Sequence, residues 1–444
     1  MIWSRFLYNL ALPVFLAVFL PRLLVQFLGR RKCGHQFGQR LAIYSRAVRA
    51  RLTTPHPRIW IHAVSVGEVL TALKLIRCME GETPRHHFTL STTTATGFTL
   101  AEREKSRTTE VIYNPIDFFT TVRRAVCLIR PRQLILVESE IWPNLIWEAK
   151  QYGATIALIN ARISPRSERR CLFFQSAVKP ILHALDVVCV QNPSDILRWE
   201  KIGVHSTQIH LTGSIKFDDA RAARRPPVDL RPLLLSVGCP KNALVLLGGS
   251  THAGEEKILG RAFLAIQQVI PNTFLLIAPR HIERSRGVLK DLFNCGLYPT
   301  LRSTRLFPLG RINCLVLDSI GELRDWYSCA HAVFIGKSLT ARGGQNPAEA
   351  ITARKPITFG PHMENFSALT QELLSIGGAV TSHNERELQS NLLRMLSDPT
   401  WANALCKNAI ECLRCHHGAT ERTRQVLCKI RPRFQNSSER NYGA

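Results

Sequence analysis

"WIHAVSVGEV", Trp60 to Val69, decides how this chain reads. Apolar residues suited to a strand run into Ser65, Val66 and Gly67, and a carboxylate, Glu68, follows where a helix would begin. Strand, small-residue turn and helix form the repeating unit of parallel sheets wrapped by helices. In such folds the turn after the strand is where ligands are held, so Glu68 is expected at the rim of a binding site.

Outward from this stretch the same grammar repeats. Candidate strands are residues 59–64, 88–93, 134–137, 155–159 and 187–190, each followed by apolar residues at helical spacing. A basic, proline-containing segment, "DDARAARRPPVDLR" (218–231), interrupts the alternation. It restarts with "ALVLLGGST", "TFLLIAPRH", "NCLVLDS", "AVFIGKS" and "PITFGPH". The expectation is two α/β halves joined by a linker, with the loops at the carboxyl ends of the strands facing a cleft between them.

A chain of 444 residues has room for two or three such domains. Its formal net charge of +25, from 58 Lys and Arg against 33 Asp and Glu, calls for an anionic partner: nucleic acid, phospholipid headgroups or a phosphorylated substrate. The 13 cysteines follow no framework and read as reduced thiols of a cytosolic body. Cys412, Leu413, Arg414, Cys415 and His416 spell the c-type haem attachment pattern, against which stands a helix carrying both cysteines on one face. From Phe6 to Pro21 no residue is charged, and after Arg22 the apolar character resumes to Leu28, followed by Arg30, Arg31 and Lys32. Residues 1–30 are therefore expected to anchor the chain in a membrane, with Arg22 and two prolines arguing against a straight span. The basic flank places the body on the cytoplasmic side.

Several strand-end loops carry candidate chemistry. Gly248, Gly249, Ser250 and Thr251 lead into a helix near Gly254, where small residues let backbone amides approach an anion. Arg280, in "PRH", can fork onto phosphate oxygens. In "ARGGQNPAEA" two glycines precede Asn346 and Pro347, and Glu349 falls in a first helical turn, where it either accepts the vicinal hydroxyls of a ribose or caps the helix. Glu138 and Glu140 flank Ser139 just past a strand, in an extended chain. Such a pair either holds a divalent metal or supplies a cap and a surface charge, and no Asp-x-Asp occurs in the chain. Lys216, in "TGSIKFDD", ends the last strand before the linker, where it can reach across the cleft.

Ten blocks in this order resemble the 3-deoxy-D-manno-octulosonic acid (Kdo) transferases of Gram-negative bacteria: "HAVSVGE", "STTTATG", "ESEIWPN", "NARIS", "TGSIKFD", "GGSTHAGEE", "APRH", "DSIGEL", "RGGQNPAE" and "GPHMENF". The resemblance runs from the apolar amino terminus to roughly residue 400. It implies a GT-B arrangement of two Rossmann-like domains facing across a cleft, behind an N-terminal anchor: residues 1–30 as anchor, 31–217 as acceptor domain, 218–231 as linker and 232–444 as CMP-sugar donor domain. It further implies an inverting transfer of Kdo from CMP-Kdo to a lipid A precursor, lipid IVA, at the cytoplasmic face of the inner membrane, without a cofactor. Whether further Kdo is added onto Kdo stays open. Glu68 inherits the role of proton acceptor, and Glu138 and Lys216 inherit stabilisation of the transition state. CMP contacts fall on Pro279 and Arg280, on Ile320, Gly321 and Glu322, and on Asn346, Pro347, Ala348 and Glu349. The chain departs from the family pattern at Gln345 (commonly His), Lys337 (commonly Gly) and Ala253 (commonly Glu).

Three other readings compete. A GT-B enzyme using a UDP-sugar shares the ribose-binding glutamate after a glycine-rich loop. A nucleic-acid-binding protein fits the charge, but the aromatics are not interleaved with basic residues as stacking platforms. A dinucleotide-dependent oxidoreductase fits the α/β grammar, but no G-x-G-x-x-G follows the first strand.

Overall fold

The fold was obtained as a computed structural model. It describes Arg5 and residues 8–10, 37–53, 56–81, 86–218, 228–304 and 312–430. The chain divides into two compact units, one holding the residues up to Asp218 together with those from Gly418 onward, the other Asp219–His417.

The first unit is built on a seven-stranded parallel sheet: β1 (Arg58–His62), β2 (His87–Thr92), β3 (Thr109–Tyr113), β4 (Pro131–Val137), β5 (Thr155–Ala161), β6 (Val187–Val190) and β7 (Ile209–Leu211), in the order β3-β2-β1-β4-β5-β6-β7. The strands are short apolar runs rather than alternating patterns because helices cover both faces. Trp60, Leu134, Leu136, Ile156 and Leu158 join a core on one face, and Ile59, Ile61, Ile135, Val137 and Ile159 a core on the other. After β1 the chain moves outward to β2 and β3, then crosses back to lay β4 on the other side of β1. The loops leaving β1 and β4 therefore diverge, which opens a crevice at this switch point.

The second unit repeats the plan with β8 (Leu244–Thr251), β9 (Thr273–Pro279), β10 (Pro299–Leu301), β11 (Cys314–Val316), β12 (Ala332–Ile335), β13 (Ile357–Phe359) and β14 (Val380–Thr381), in the order β10-β11-β9-β8-β12-β13-β14. Its switch point lies between β8 and β12. The backbones there are close: a Cβ on Gly336, just past β12, would stand 2.5 Å from the Ser250 carbonyl oxygen of β8.

The expected donor domain, 232–444, runs too long. The helix Ala419–Lys429 packs Leu427 into the core of the first unit, and the buried Asp218 carboxylate accepts hydrogen bonds from the Gly418 amide (3.0 Å) and the Thr420 amide (2.7 Å) at that helix's start. Burial of Leu427 and satisfaction of these two end amides favour the return to the first sheet. Of the expected linker, residues 219–227 lie outside the described residues, as does nearly all of the expected anchor. What is described of the amino terminus is tied to the first unit: Arg5 pairs with Glu148, and the Tyr8 hydroxyl donates to Asp117 at 2.9 Å. Among the described residues no helix is long and apolar enough to cross a membrane.

The described cysteines are all free thiols. Cys412 is buried in the helix Pro399–Arg414 and Cys415 is its C-cap, so the haem-like pattern here is a helix end.

Candidate active site

In the first unit, Ser65 ends the turn after β1 and caps the helix Val66–Met79, with Glu68 in its first turn. The capping is reciprocal. The Glu68 amide donates to Ser65 Oγ (3.3 Å), while Ser65 Oγ donates to Glu68 Oε1 (2.8 Å) and the Val64 amide to Oε2 (2.9 Å). Glu68 is thus a capping residue, only 8% exposed, on a rim where Ser65 and Val66 are open to solvent. Burial raises its pKa, the Val64 and Ser65 hydrogen bonds oppose that, and the charge of Glu138 adds to it. The "STTTATG" block holds the turn from behind, since the Thr92 and Thr94 hydroxyls both donate to the Val64 carbonyl (3.1 and 3.0 Å).

Glu138 and Glu140 leave β4, across the switch point from β1. They do not flank an extended chain as expected, because Glu138 takes a left-handed φ of 62° and the chain turns there. A non-glycine residue in that region is strained, and such strain collects at functional sites. The Glu138 carboxylate pairs with Arg162, just past β5, at 3.1 Å. Burial pushes Glu140 up to about 7, the charge of Glu68 adds to this, and the Trp142 indole N–H, donated at 3.0 Å, opposes it. Lys216 lies in the turn after β7, fixed by its neighbours: the Ile215 amide donates to Asn160 Oδ1 (3.0 Å) and Lys74 donates to the Asp218 carbonyl (3.1 Å). A side chain at Gly67 would stand 3.8 Å from Lys216 Nζ, so the glycine leaves the ammonium room beside the helix start. Burial lowers the Lys216 pKa, the charges of Glu138 and Glu68 resist this, and Arg162 adds to it.

Glu68, Glu138 and Lys216, widely separated in sequence, are therefore near enough to act on one another's charge. Glu140 and Arg162 complete the cluster, and the sequence reading assigned neither a catalytic part. The signal for Arg162 is its place at a strand end, in the block "NARIS".

In the second unit, Pro279, Arg280, Ile320, Gly321 and Glu322 line one pocket with Ser250 and Trp326. The Arg280 side chain is exposed at its edge. Glu322 is held by the Ser319 hydroxyl (2.8 Å) and the Trp326 indole (3.4 Å), and Ile320 is 81% exposed, leaving an apolar side chain open at the mouth. Asn346–Glu349 do not line this pocket. Asn346 Oδ1 accepts from the Ala348 amide at 3.1 Å at the start of the short helix Ala348–Thr352, so Asn346 rather than Glu349 serves that amide. Glu349 is exposed, and its charge reaches Tyr327, whose hydroxyl would stand 2.6 Å from a Cβ on Gly249.

Two residues missed in the sequence hold these loops. Glu255 is fully buried and accepts from four amides, those of His252 and Lys337 at 2.8 Å, Ser338 at 2.9 Å and Leu339 at 3.0 Å, tying the loop after β12 to the loop after β8. Glu256 accepts from Thr251 (3.0 Å) and from both arms of Arg284 (3.0 and 3.2 Å). Lys337 has φ 57°, a left-handed conformation that glycine adopts without strain.

Residues 35–219 match the model of the family described as 3-deoxy-D-manno-octulosonic-acid transferase (kdotransferase). The chain is 31% identical over 410 residues to the 3-deoxy-D-manno-octulosonic acid transferase of Bordetella pertussis, covering 89% of this chain and 93% of that protein. It is 28% identical over 379 residues to the protein of the same name from Haemophilus influenzae, covering 84% and 87%. The structure of a UDP-GlcNAc 2-epimerase from Neisseria meningitidis bound to UDP-GlcNAc superposes with a TM-score of 0.55 at 10% identity, covering 84% of this chain and all of that one. That likeness is one of fold, and the two parallel-sheet units resemble those of GT-B glycosyltransferases.

Proposed function

The chain belongs to the 3-deoxy-D-manno-octulosonic acid transferase family, and we propose that it moves Kdo from CMP-Kdo to a hydroxyl of a lipid A precursor in lipopolysaccharide synthesis, with inversion at the anomeric carbon. The observation that carries this reading is the gathering of strand-end residues in one unit: Lys216 beside the helix start that holds Glu68, and Glu138 held by Arg162 at 3.1 Å. Glu68 takes the proton of the attacking hydroxyl. Its raised pKa makes it a better base than a free carboxylate, and a positioned base is worth on the order of 10² to 10⁴ in rate. Glu138, oriented by Arg162, offsets the positive charge that grows on the sugar ring. Lys216 supplies a cation for the carboxylate of Kdo or for the departing phosphate.

CMP binds at the strand ends of the second unit. Arg280 meets the phosphate, and Glu322 and the Ile320–Gly321 backbone meet the nucleoside, in one pocket. Glu349, which does not line that pocket, is the expected acceptor for the ribose hydroxyls. A bridging metal is not required, because the leaving group carries a single phosphate. Residues 1–30 hold the enzyme at the cytoplasmic face of the inner membrane, where the acceptor resides, and the +25 charge favours that anionic surface.

The test is mass spectrometry of the lipid product formed by purified protein from CMP-Kdo and lipid IVA. Addition of one or more Kdo residues is expected. Release of nucleotide from a UDP-sugar, with none from CMP-Kdo, would move the chain to another donor class.

A further inference from the structure

In the first unit the helices Pro165–Phe173 and Gln175–Leu182 meet at Phe173 and Phe174. The apolar residues that the core takes from this hairpin are Cys171, Leu172, Val178, Ile181 and Leu182. Phe173 and Phe174 are not among them. They stand 82% and 58% exposed at the corner, their rings edge to face at 4.9 Å.

The first of the two helices buries no residue completely. It carries Arg166, Arg169 and Arg170, all exposed and none within ion-pair distance of a carboxylate among the described residues. The acid of the same helix, Glu168, is turned to the body, bound by Lys201 at 2.9 Å and Arg198 at 3.9 Å. Exposed Lys179 follows on the second helix. A projecting aromatic pair with unpaired arginines beside it has the composition of an interfacial element, with rings for the acyl boundary and cations for the phosphates above. Its place in the fold gives it a use. The hairpin follows directly on Arg162, which pairs with Glu138 in the acid cluster.

We infer that this corner docks on an anionic lipid bilayer, with Phe173 and Phe174 entering the headgroup layer and Arg166, Arg169 and Arg170 on lipid phosphates, so that the acid cluster lies at the membrane surface. Its residues are distinct in sequence from the apolar amino terminus. It rests on the Kdo-transfer reading only for the acceptor that the bilayer holds.

Docking is read without turnover, on the full chain. In the F174W variant, the added tryptophan emission should shift to the blue and be quenched by brominated lipid on phosphatidylglycerol vesicles, but not on phosphatidylcholine. In flotation, R166Q/R169Q/R170Q should partition to phosphatidylglycerol about a hundredfold more weakly than the parent. Turnover then separates the two readings. F173S/F174S should transfer normally to acceptor dispersed in detergent and slowly to acceptor in vesicles. Unquenched F174W emission overturns the docking, and so does self-association abolished by F173S/F174S without any loss of flotation. Absence of transfer in the parent protein alongside quenching overturns the sugar-transfer reading alone.

Discussion

Ser65 and Glu68 cap each other: the serine hydroxyl donates to the glutamate carboxylate at 2.8 Å, and the glutamate amide donates back to the serine oxygen at 3.3 Å. One carboxylate thus serves both the helix start and the proposed proton transfer. The cap fixes the rotamer of Glu68 at the crevice, and the serine hydroxyl stabilises the ionised form.

Ser65→Ala separates these effects. Loss of the cap should lower stability by about 1 kcal/mol, read as a fall in thermal midpoint. Loss of a donor to the carboxylate should raise the Glu68 pKa further and move the acid limb of the kcat/KM profile to higher pH. An acid limb that stays in place would show that Glu68 is not the group titrating there.

Glu140 is set up to titrate at about 7, chiefly through burial. A carboxyl raised from 4.5 favours folding below its unfolded value and loses that contribution as pH climbs toward 7. In Glu140→Gln, the part of the stability change between pH 4.5 and 7 that belongs to this group should vanish. Chemical denaturation across that range checks it, and parallel curves for parent and variant would contradict it.

Asp218 joins the chain's return to the first unit through two amides at 3.0 and 2.7 Å. Asp218→Ala leaves both without their buried acceptor and should cost about 3 kcal/mol. Proteolysis should then cut first near residue 418. Asp218→Asn, which retains one carbonyl oxygen, should lose less, and equal losses would place the cost elsewhere.

Glu255 offers its two oxygens to four amides in the donor-side loops. Glu255→Gln replaces one acceptor oxygen with a donor facing amide hydrogens, a mismatch of about 2 to 3 kcal/mol. CMP titrated calorimetrically should bind the variant more weakly, while Lys216 and Glu68 in the other unit remain unaffected.

Much of this was legible in the sequence, because a strand covered on both faces is a dense apolar run. The ten apolar runs expected as strands all contain strands, and Val187–Val190 has the expected bounds. Strands such as Pro299–Leu301 and Val380–Thr381 are too short to leave a periodic signal. Thr109–Tyr113 carries the buried Glu110, paired with Arg51 at 2.7 Å, and this charged residue within the strand hides it. The C-terminal helix reads like its neighbours, and only the distant Asp218 shows which sheet it joins. At the site, residue types and strand-end positions were readable. The turn at Glu138, the partner Arg162 and the amide clamp of Glu255 were not, since each depends on which loops the fold sets side by side.

The central claim is that Glu68 removes the proton from the acceptor hydroxyl. The most direct measurement is single-turnover transfer from CMP-Kdo to lipid IVA by Glu68→Gln, with CMP binding measured on the same preparation. The expected result is unchanged nucleotide affinity with transfer slowed by on the order of 10² to 10⁴. Transfer at the parent rate, with the nucleotide still bound, would contradict it.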